Sequence, residues 1–376
     1  MTSLAKTYIW QQTDWPTWSY DATTLSILLA NAHQAQGRLL GKMQSLGFGV
    51  QQQTSLQVLT DDVLKTSEIE GEFLRPELVR SSVAKRLGID IGGLSDSDRT
   101  VDGIVDIVMD ATSKHAQDLS LDRLLSWHAA LFPLGYSGIH KISAGQLRDD
   151  RLGPMQVISG AIGREKVHFE APPASCLRSE ITQFLNWFNA SQSLDPYLKA
   201  GIAHLWFVTI HPFDDGNGRI GRAIADMALS RADQSRDRFY SLSSQIMKER
   251  QGYYLHLERS QKGSLDATEW LAWFLQCLIN AIDSANSNLY STLAKTQFWQ
   301  HWQGVPFNER QIKLLNRLLD GFEGNLTNKK WSLIAKCSAD TALRDITDLL
   351  DRGVLSRGSS SGRSTHYLIK QPERFS

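Results

Sequence analysis

Across 376 residues there are only three cysteines, Cys176, Cys277 and Cys337. They form no CxxC pair and no metal-ligand spacing, which excludes a disulfide framework and a thiolate zinc site. They read as the reduced thiols of a cytoplasmic protein. An excess of charge is also missing: lysine plus arginine and aspartate plus glutamate number 40 each. That balance removes any global attraction to nucleic acid or to an anionic membrane. Long apolar runs are absent. The longest, near 201–210 and 270–282, are too short to span a bilayer and contain His, Gln or Asn. Residues 1–20 lack the charged-then-apolar order of a secretion signal. There is no internal repeat and no low-complexity tract. The length leaves room for two or three domains and a sizeable core.

What is present is concentrated in His211-Pro212-Phe213-Asp214-Asp215-Gly216-Asn217-Gly218-Arg219-Ile220-Gly221-Arg222. A helix is expected from Asp195-Pro196, a side-chain cap followed by the proline favoured at the first helical position. It should stop at His211, because a residue before proline is pushed out of the α region. Phe213 is expected to plug the loop into the core. Gly216-Asn217-Gly218 leaves the backbone free to turn its N–H groups inward, and a second helix should begin near Arg219 with its positive end facing the loop. Amides, helix dipole and little side-chain bulk make an anion cradle. Arg219 and Arg222 lie on neighbouring positions of one helix face and can grip further phosphate oxygens. Asp215 offers a hard oxygen ligand for Mg²⁺ shared with a substrate phosphate. His211, with a near-neutral pKa, suits proton abstraction from an attacking hydroxyl. Each part alone has a plainer reading: His211 as a helix-end cap, Arg222 paired with Asp226 one turn on, Asp215-Gly216 as a turn. None explains why all the parts coincide.

A second segment is Thr66-Ser67-Glu68-Ile69-Glu70-Gly71. Thr60-Asp61-Asp62 reads as a helix start, with Gly71 just beyond the helix end. Glu68, Glu70 and Glu72 then crowd the negative end of a helix dipole, which is unfavourable unless a cation comes from elsewhere in the fold. Between them and the first segment, Met155-Gln156-Val157-Ile158 and Lys166-Val167-His168-Phe169-Glu170 flank a glycine-bearing turn at 159–163, and Pro172-Pro173 closes the second run. This is a hairpin, and its free edge can accept a strand from a partner.

The twelve-residue segment resembles the HxFx(D/E)GNGRxxR signature of the Fic family, with every fixed position present. The resemblance implies a mainly α protein: a Fic helical core with a β-hairpin flap. It implies transfer of AMP from ATP to a Ser, Thr or Tyr hydroxyl of a protein. His211 would be the general base and Asp215 would hold Mg²⁺. The Gly216 to Gly218 amides would bind the diphosphate, Asn217 and Arg219 would position it, and Arg222 would reach the γ-phosphate. Ile220, Gly221, and Val157 and Ile158 of the flap would complete the nucleotide site, with Tyr254 and Gln261 near the base or ribose. The 155–170 flap would dock the target, which includes a second copy of this chain. Thr66, Glu70 and Gly71 match the family's (S/T)xxxE(G/N) inhibitory motif, so Glu70 would pair with Arg222 and deny it to the γ-phosphate. Gly145-Gln146-Leu147-Arg148 and Pro172-Pro173 also fit the family's surroundings. Removal of AMP, use of another phosphate-containing donor, and a DNA-binding regulator with a sensory core stand as alternatives.

Three regions are expected. Residues 1–110 form an N-terminal helical arm, with Trp10, Trp15 and Trp18 packing it onto the core. Residues 111–290 form the catalytic core, with helices at 121–132, 177–190, 196–211, 218–232 and 266–287. Residues 305–370 read as helices 308–320, 328–336 and 339–352 followed by a small hairpin, which resembles a winged helix-turn-helix module. Its would-be recognition helix carries Asp340, Asp345, Asp348 and Asp351 against Arg344 and Arg352, although Arg357 and Arg363 sit in the wing. An acidic helix is a poor visitor to a phosphate-lined groove, so protein contact is favoured over DNA. Relatives of this kind self-associate, so a homo-oligomer is a further expectation.

Overall fold

The computed structural model describes residues 8–370 apart from 91–97, 152, 161–163, 165, 192, 320–324 and 359–364. The chain is mainly α and divides into two compact units, Met1–Ala285 and Asn286–Ser376. The helices of the first unit are α1 (Ala22–Gln44), α2 (Phe48–Ile69), α3 (Pro76–Leu87), α4 (Arg99–Ser113), α5 (Leu121–Leu131), α6 (Leu177–Asn189), α7 (Pro196–Ile210), α8 (Asn217–Asp233), α9 (Leu242–Lys248) and α10 (Arg250–Ser260). Two antiparallel hairpins interrupt them: β1 (Tyr136–Ser137) with β2 (His140–Lys141), and β3 (Gln156–Ser159) with β4 (Lys166–Glu170). Helix α11 (Thr268–His301) follows, running well beyond the expected end at 287. Among the described residues no helix is long and apolar enough to cross a membrane.

The centre of the first unit is α7. From Tyr197 to Ile210 every residue but Lys199 is buried, as expected for a helix that is apolar all round. Asp195 caps it as expected, accepting from the Tyr197 amide at 2.9 Å. Helix α8 lies along α7 because Gly221 has no side chain: a Cβ there would stand 2.8 Å from Val208 Cγ1. The N-terminal arm is pinned by its tryptophans. Trp15 and Trp18 meet Trp206 of α7 with ring centroids 6.0 and 6.3 Å apart, and the Trp10 indole donates to the Glu170 carbonyl at 2.8 Å.

The helix expected to start at Thr60 starts instead at Phe48, behind Gly47. Thr60-Asp61-Asp62 resembles a cap in sequence, but Asp62 is buried mid-helix and accepts the Ser241 hydroxyl at 2.5 Å. That serine caps α9, so the acid makes a tertiary contact rather than a helix start.

The second unit holds α12 (Glu309–Leu319), α13 (Asn328–Ala335), α14 (Ala339–Asp351) and the antiparallel pair β5 (Leu355–Arg357) and β6 (Tyr367–Ile369). They enclose a core that includes Phe298, Leu314, Trp331, Ile346 and Leu349. Arg310 clasps Asp345 with two bonds of 2.8 and 3.0 Å, and Asp348 accepts from Gln311 and Arg352. Two of the four aspartates of α14 are therefore neutralised inside the unit, and its exposed face carries Asp340, Leu343, Arg344, Thr347 and Asp351. Arg363 lies outside the described residues.

Candidate active site

Helix α7 ends at His211, which adopts the left-handed region (φ 50°) and still donates its amide to Phe207 O at 3.0 Å. Proline at 212 forbids continuation of the helix. Phe213 then enters the core and stacks on His128, centroids 4.2 Å apart. Asn217 closes the loop from the other side. Its Oδ1 accepts from the Phe213 amide at 3.0 Å and its Nδ2 donates to the Phe213 carbonyl at 2.8 Å. Both ends of this buried amide are spent on the loop, so Asn217 shapes the cradle and does not itself face a ligand. Gly216 is needed on two counts: its φ is +81°, and a Cβ would crowd Leu131 and Phe132 at 3.0 Å.

Helix α8 begins at Asn217, and the amides of Asn217, Gly218 and Arg219, in its first turn, have no intrahelical acceptor. An anion is already there. A Cβ at Gly218 would lie 2.2 Å from Glu70 Oε1, so the missing side chain makes room for the Glu70 carboxylate. Helix α2 delivers it through a Schellman end: Glu72 N bonds Ser67 O and Gly71 N bonds Glu68 O, both at 3.0 Å, with Gly71 at φ +86°. The buried Arg222 holds Glu70 at 2.7 Å through Nη2. It also donates to Thr66 O at 2.9 Å and, through Nε, to Thr66 Oγ1 at 2.8 Å. Arg222 therefore does not pair with Asp226, which is taken by Arg238 at 2.9 Å. The cation for Glu72, left unassigned by its sequence, is the other arginine: Arg219 Nη1 lies 2.6 Å from Glu72 Oε2, with the guanidinium over the Phe132 ring. The negative end of α2 thus meets the positive end of α8, and two glutamates occupy the two arginines beside the cradle.

Burial is the main reason the His211 imidazole is pushed down to about 4. That is below the near-neutral value expected from sequence, although the residue as a whole is only partly buried. Nδ1 lies 3.1 Å from the Val208 carbonyl, which only accepts, so Nδ1 carries the proton and Nε2 offers its lone pair. Asp215 is half-exposed. Its Oδ1 accepts the Gly216 amide at 2.6 Å, its Oδ2 the Ser137 hydroxyl, and Arg219 stands 4.0 Å away. Among the described residues no group of three or more His, Cys, Asp or Glu side chains comes together for a metal. A half-exposed carboxylate such as Asp215 nevertheless suits Mg²⁺, which takes most of its ligands from phosphates and water.

Other expected contacts fall elsewhere. Ile220 is buried and its amide is spent on Gly216 O, and Gly221 faces α7, so neither reaches the cradle. Gln261 is buried behind α7, its amide 3.3 Å from Val208 O, and the Tyr254 hydroxyl donates to Ile69 O at 3.2 Å. Tyr254 thus packs on the end of α2 rather than on an open base site. The flap forms, with a bulge between Val157 and Ile158, and Ile158 is exposed. Beside it opens a groove of about 750 Å³ lined by Ile142, Ser143, Asp149, Met155, Ile158 and Asp214. The turn residues 161–163 lie outside the described residues. Ser137, on a two-residue strand with no sequence signature, gave no advance sign of touching Asp215.

An anion cradle with a neutral histidine beside it and two buried arginines suits an anionic ligand on a helical scaffold. Residues 118–229 match the Fic/DOC family and residues 8–89 match Domain of unknown function (DUF4172). The chain carries a Fic/DOC domain. It is 26% identical over 151 residues to a probable protein adenylyltransferase of Aquifex aeolicus, covering 39% of this chain and 44% of that protein. It is 31% identical over 121 residues to a uridine 5'-monophosphate transferase of Xanthomonas campestris pv. campestris, covering 30% of this chain and 21% of that protein. The chain spans less than half the length of these curated relatives. A crystal structure of a Fic family protein from Desulfovibrio desulfuricans G20 shares the fold, with a TM-score of 0.51 and 19% identity, over 92% of this chain and 96% of that one.

Proposed function

We propose that the protein transfers AMP from ATP to a Ser, Thr or Tyr hydroxyl of a protein and is held in check by Glu70. The observation that carries this reading is the Glu70 carboxylate seated over Gly218 and bound to Arg222 at 2.7 Å. A site that accepts one anion at a helix N-terminus accepts a phosphate once that anion leaves. The polyphosphate would take the α8 amides, with Arg219 and Arg222 on its outer oxygens. Asp215 would hold Mg²⁺, which offsets phosphate charge. His211 Nε2 would take the proton of the acceptor hydroxyl as its oxygen attacks the α-phosphorus. The α–β P–O bond breaks and diphosphate leaves. Positioning and charge stabilisation carry most of such a reaction.

The donor base is the open part, since Gln261 and Tyr254 are both engaged elsewhere. The likeness to a uridine 5'-monophosphate transferase makes UTP the second donor to test. The β3 edge and its groove suit main-chain pairing with a target segment. We take residues 305–370 as a winged-helix module that contacts protein, and a cytoplasmic setting suits ATP use and free thiols.

The test is incubation of the chain, Glu70→Gly and Glu70→Gly/His211→Ala with Mg²⁺ and α-phosphate-labelled ATP or UTP, with and without a soluble cell extract. Label on protein with Glu70→Gly, lost in the double variant, is expected. Unlabelled protein in every lane would overturn the reading.

A further inference from the structure

Arg148 sits outside the signature, yet it is 3% exposed and every arm of its guanidinium is bonded. Nε donates to the His211 carbonyl at 2.7 Å, Nη2 to the Pro172 carbonyl at 2.5 Å, and Nη1 to Asp150 Oδ1 at 2.8 Å. Its own amide donates to Pro212 O at 3.0 Å. Asp150 completes the set by accepting the Ala174 amide through Oδ2 at 2.6 Å. Three separate segments converge on one side chain: the left-handed turn that presents His211, the root of the flap just past β4, and the 149–150 stretch that borders the groove. The cation also lies at the negative end of α7, where carbonyls without helical partners favour it.

We propose that Arg148 is a positioning residue for acceptor transfer: it ties the flap root to the backbone of His211, so that a strand docked on the flap is presented to Nε2 at a set distance. This rests on the adenylyl-transfer reading above. The flap guides the acceptor through main-chain pairing, so its register is useful only if the flap cannot drift against the base. A planar fork reaching two carbonyls and a carboxylate in divergent directions is what arginine offers and lysine does not. It also explains why Gly145–Arg148 and Pro172-Pro173 belong together in sequence: one supplies the fork, the other its acceptor.

The experiment places Arg148→Lys and, as a milder change, Asp150→Asn in the Glu70→Gly chain. ATP affinity by calorimetry should stay within about twofold, because the cradle is built from α8. The turnover of protein labelling should fall by about a hundredfold for Arg148→Lys, the loss that follows a misplacement of about 1 Å. Amide hydrogen exchange should quicken at Ala171 and Ala174 and, in the same variant, at His211 and Phe213. Exchange unchanged in either segment would overturn the proposal. ATP affinity falling in step with labelling would also overturn it, since that marks general collapse of the site. An unlabelled Glu70→Gly parent would count against adenylyl transfer alone, with the exchange measurement still deciding the role of Arg148.

Discussion

Gly218→Ala should be destabilising in one background and stabilising in another. A Cβ at residue 218 would stand 2.2 Å from Glu70 Oε1, 3.0 Å from its Cδ and 3.2 Å from Arg222 Nη1. The glutamate must leave. Arg222 keeps both bonds to Thr66 but loses its counter-charge while still buried. A hydrogen bond to a charged group is worth about 1.5–3 kcal/mol. Replacing glycine by alanine inside a helix returns about 0.5–1 kcal/mol. The net loss in the unaltered chain is about 0.5–2.5 kcal/mol. In the Glu70→Gly chain only Arg222 Nη1, at 3.2 Å, has to give by a few tenths of an ångström, and the same change should gain up to about 0.5–1 kcal/mol by the helix term. The coupling between the two positions is then about 1.5–3 kcal/mol, well above the range expected of independent sites. Urea unfolding of the four chains measures it. The methyl would also occupy the cradle, so Glu70→Gly/Gly218→Ala should be more stable than its parent and transfer no label. Equal destabilisation by Gly218→Ala in both backgrounds would refute the placement of Glu70 in the anion site.

Glu72→Gln should free Arg219 from its 2.6 Å partner. Added to Glu70→Gly it should raise ATP affinity severalfold by calorimetry, and an unchanged or weaker affinity would show that Arg219 serves the fold alone. Burial, reinforced by the neighbouring Asp226, pushes Asp62 up to about 8. The folded chain therefore keeps a proton there that the unfolded chain releases above about pH 4. This contribution to stability falls as pH rises from about 4 to about 8, so Asp62→Asn should gain on the unaltered chain over that range. His211 and His128 are pushed down to about 4 and His204 to about 3, chiefly by burial. They stay neutral when folded, while the unfolded chain takes up protons below about pH 6.5. Their contribution is intact above that pH and is lost as pH falls towards 4. A His204→Asn chain should lose less of its unfolding free energy between pH 6.5 and 4, as followed by urea titration.

The local parts of the site were legible because each depends on neighbours a few residues away. Proline after His211 ends α7 there, Asp195 caps it, and glycines at 216 and 71 permit the left-handed turns seen at both. Apolar residues on every face of 196–210 required a buried helix. The crowding of Glu68, Glu70 and Glu72 at a helix end called for distant cations, which Glu70 and Glu72 find while Glu68 takes Lys65 on its own helix, and the family resemblance implied Arg222 for Glu70.

The rest was decided by packing between elements far apart in the chain. Nothing near Glu72 announces Arg219, since that pair depends on the end of α2 meeting the start of α8. The three bonds of Arg148 join residues brought together only when the flap root lies against the turn after α7. Asp62 resembles a helix cap until the fold buries it beside Ser241, and Asp345 seems an exposed acid until Arg310 clasps it. The desolvation that keeps His211 neutral is likewise a property of the whole unit. The order of residues settles which groups are available and how each short segment turns. Which charges meet depends on packing, because a charge pair needs separations of a few ångströms, and distance along the chain does not specify them.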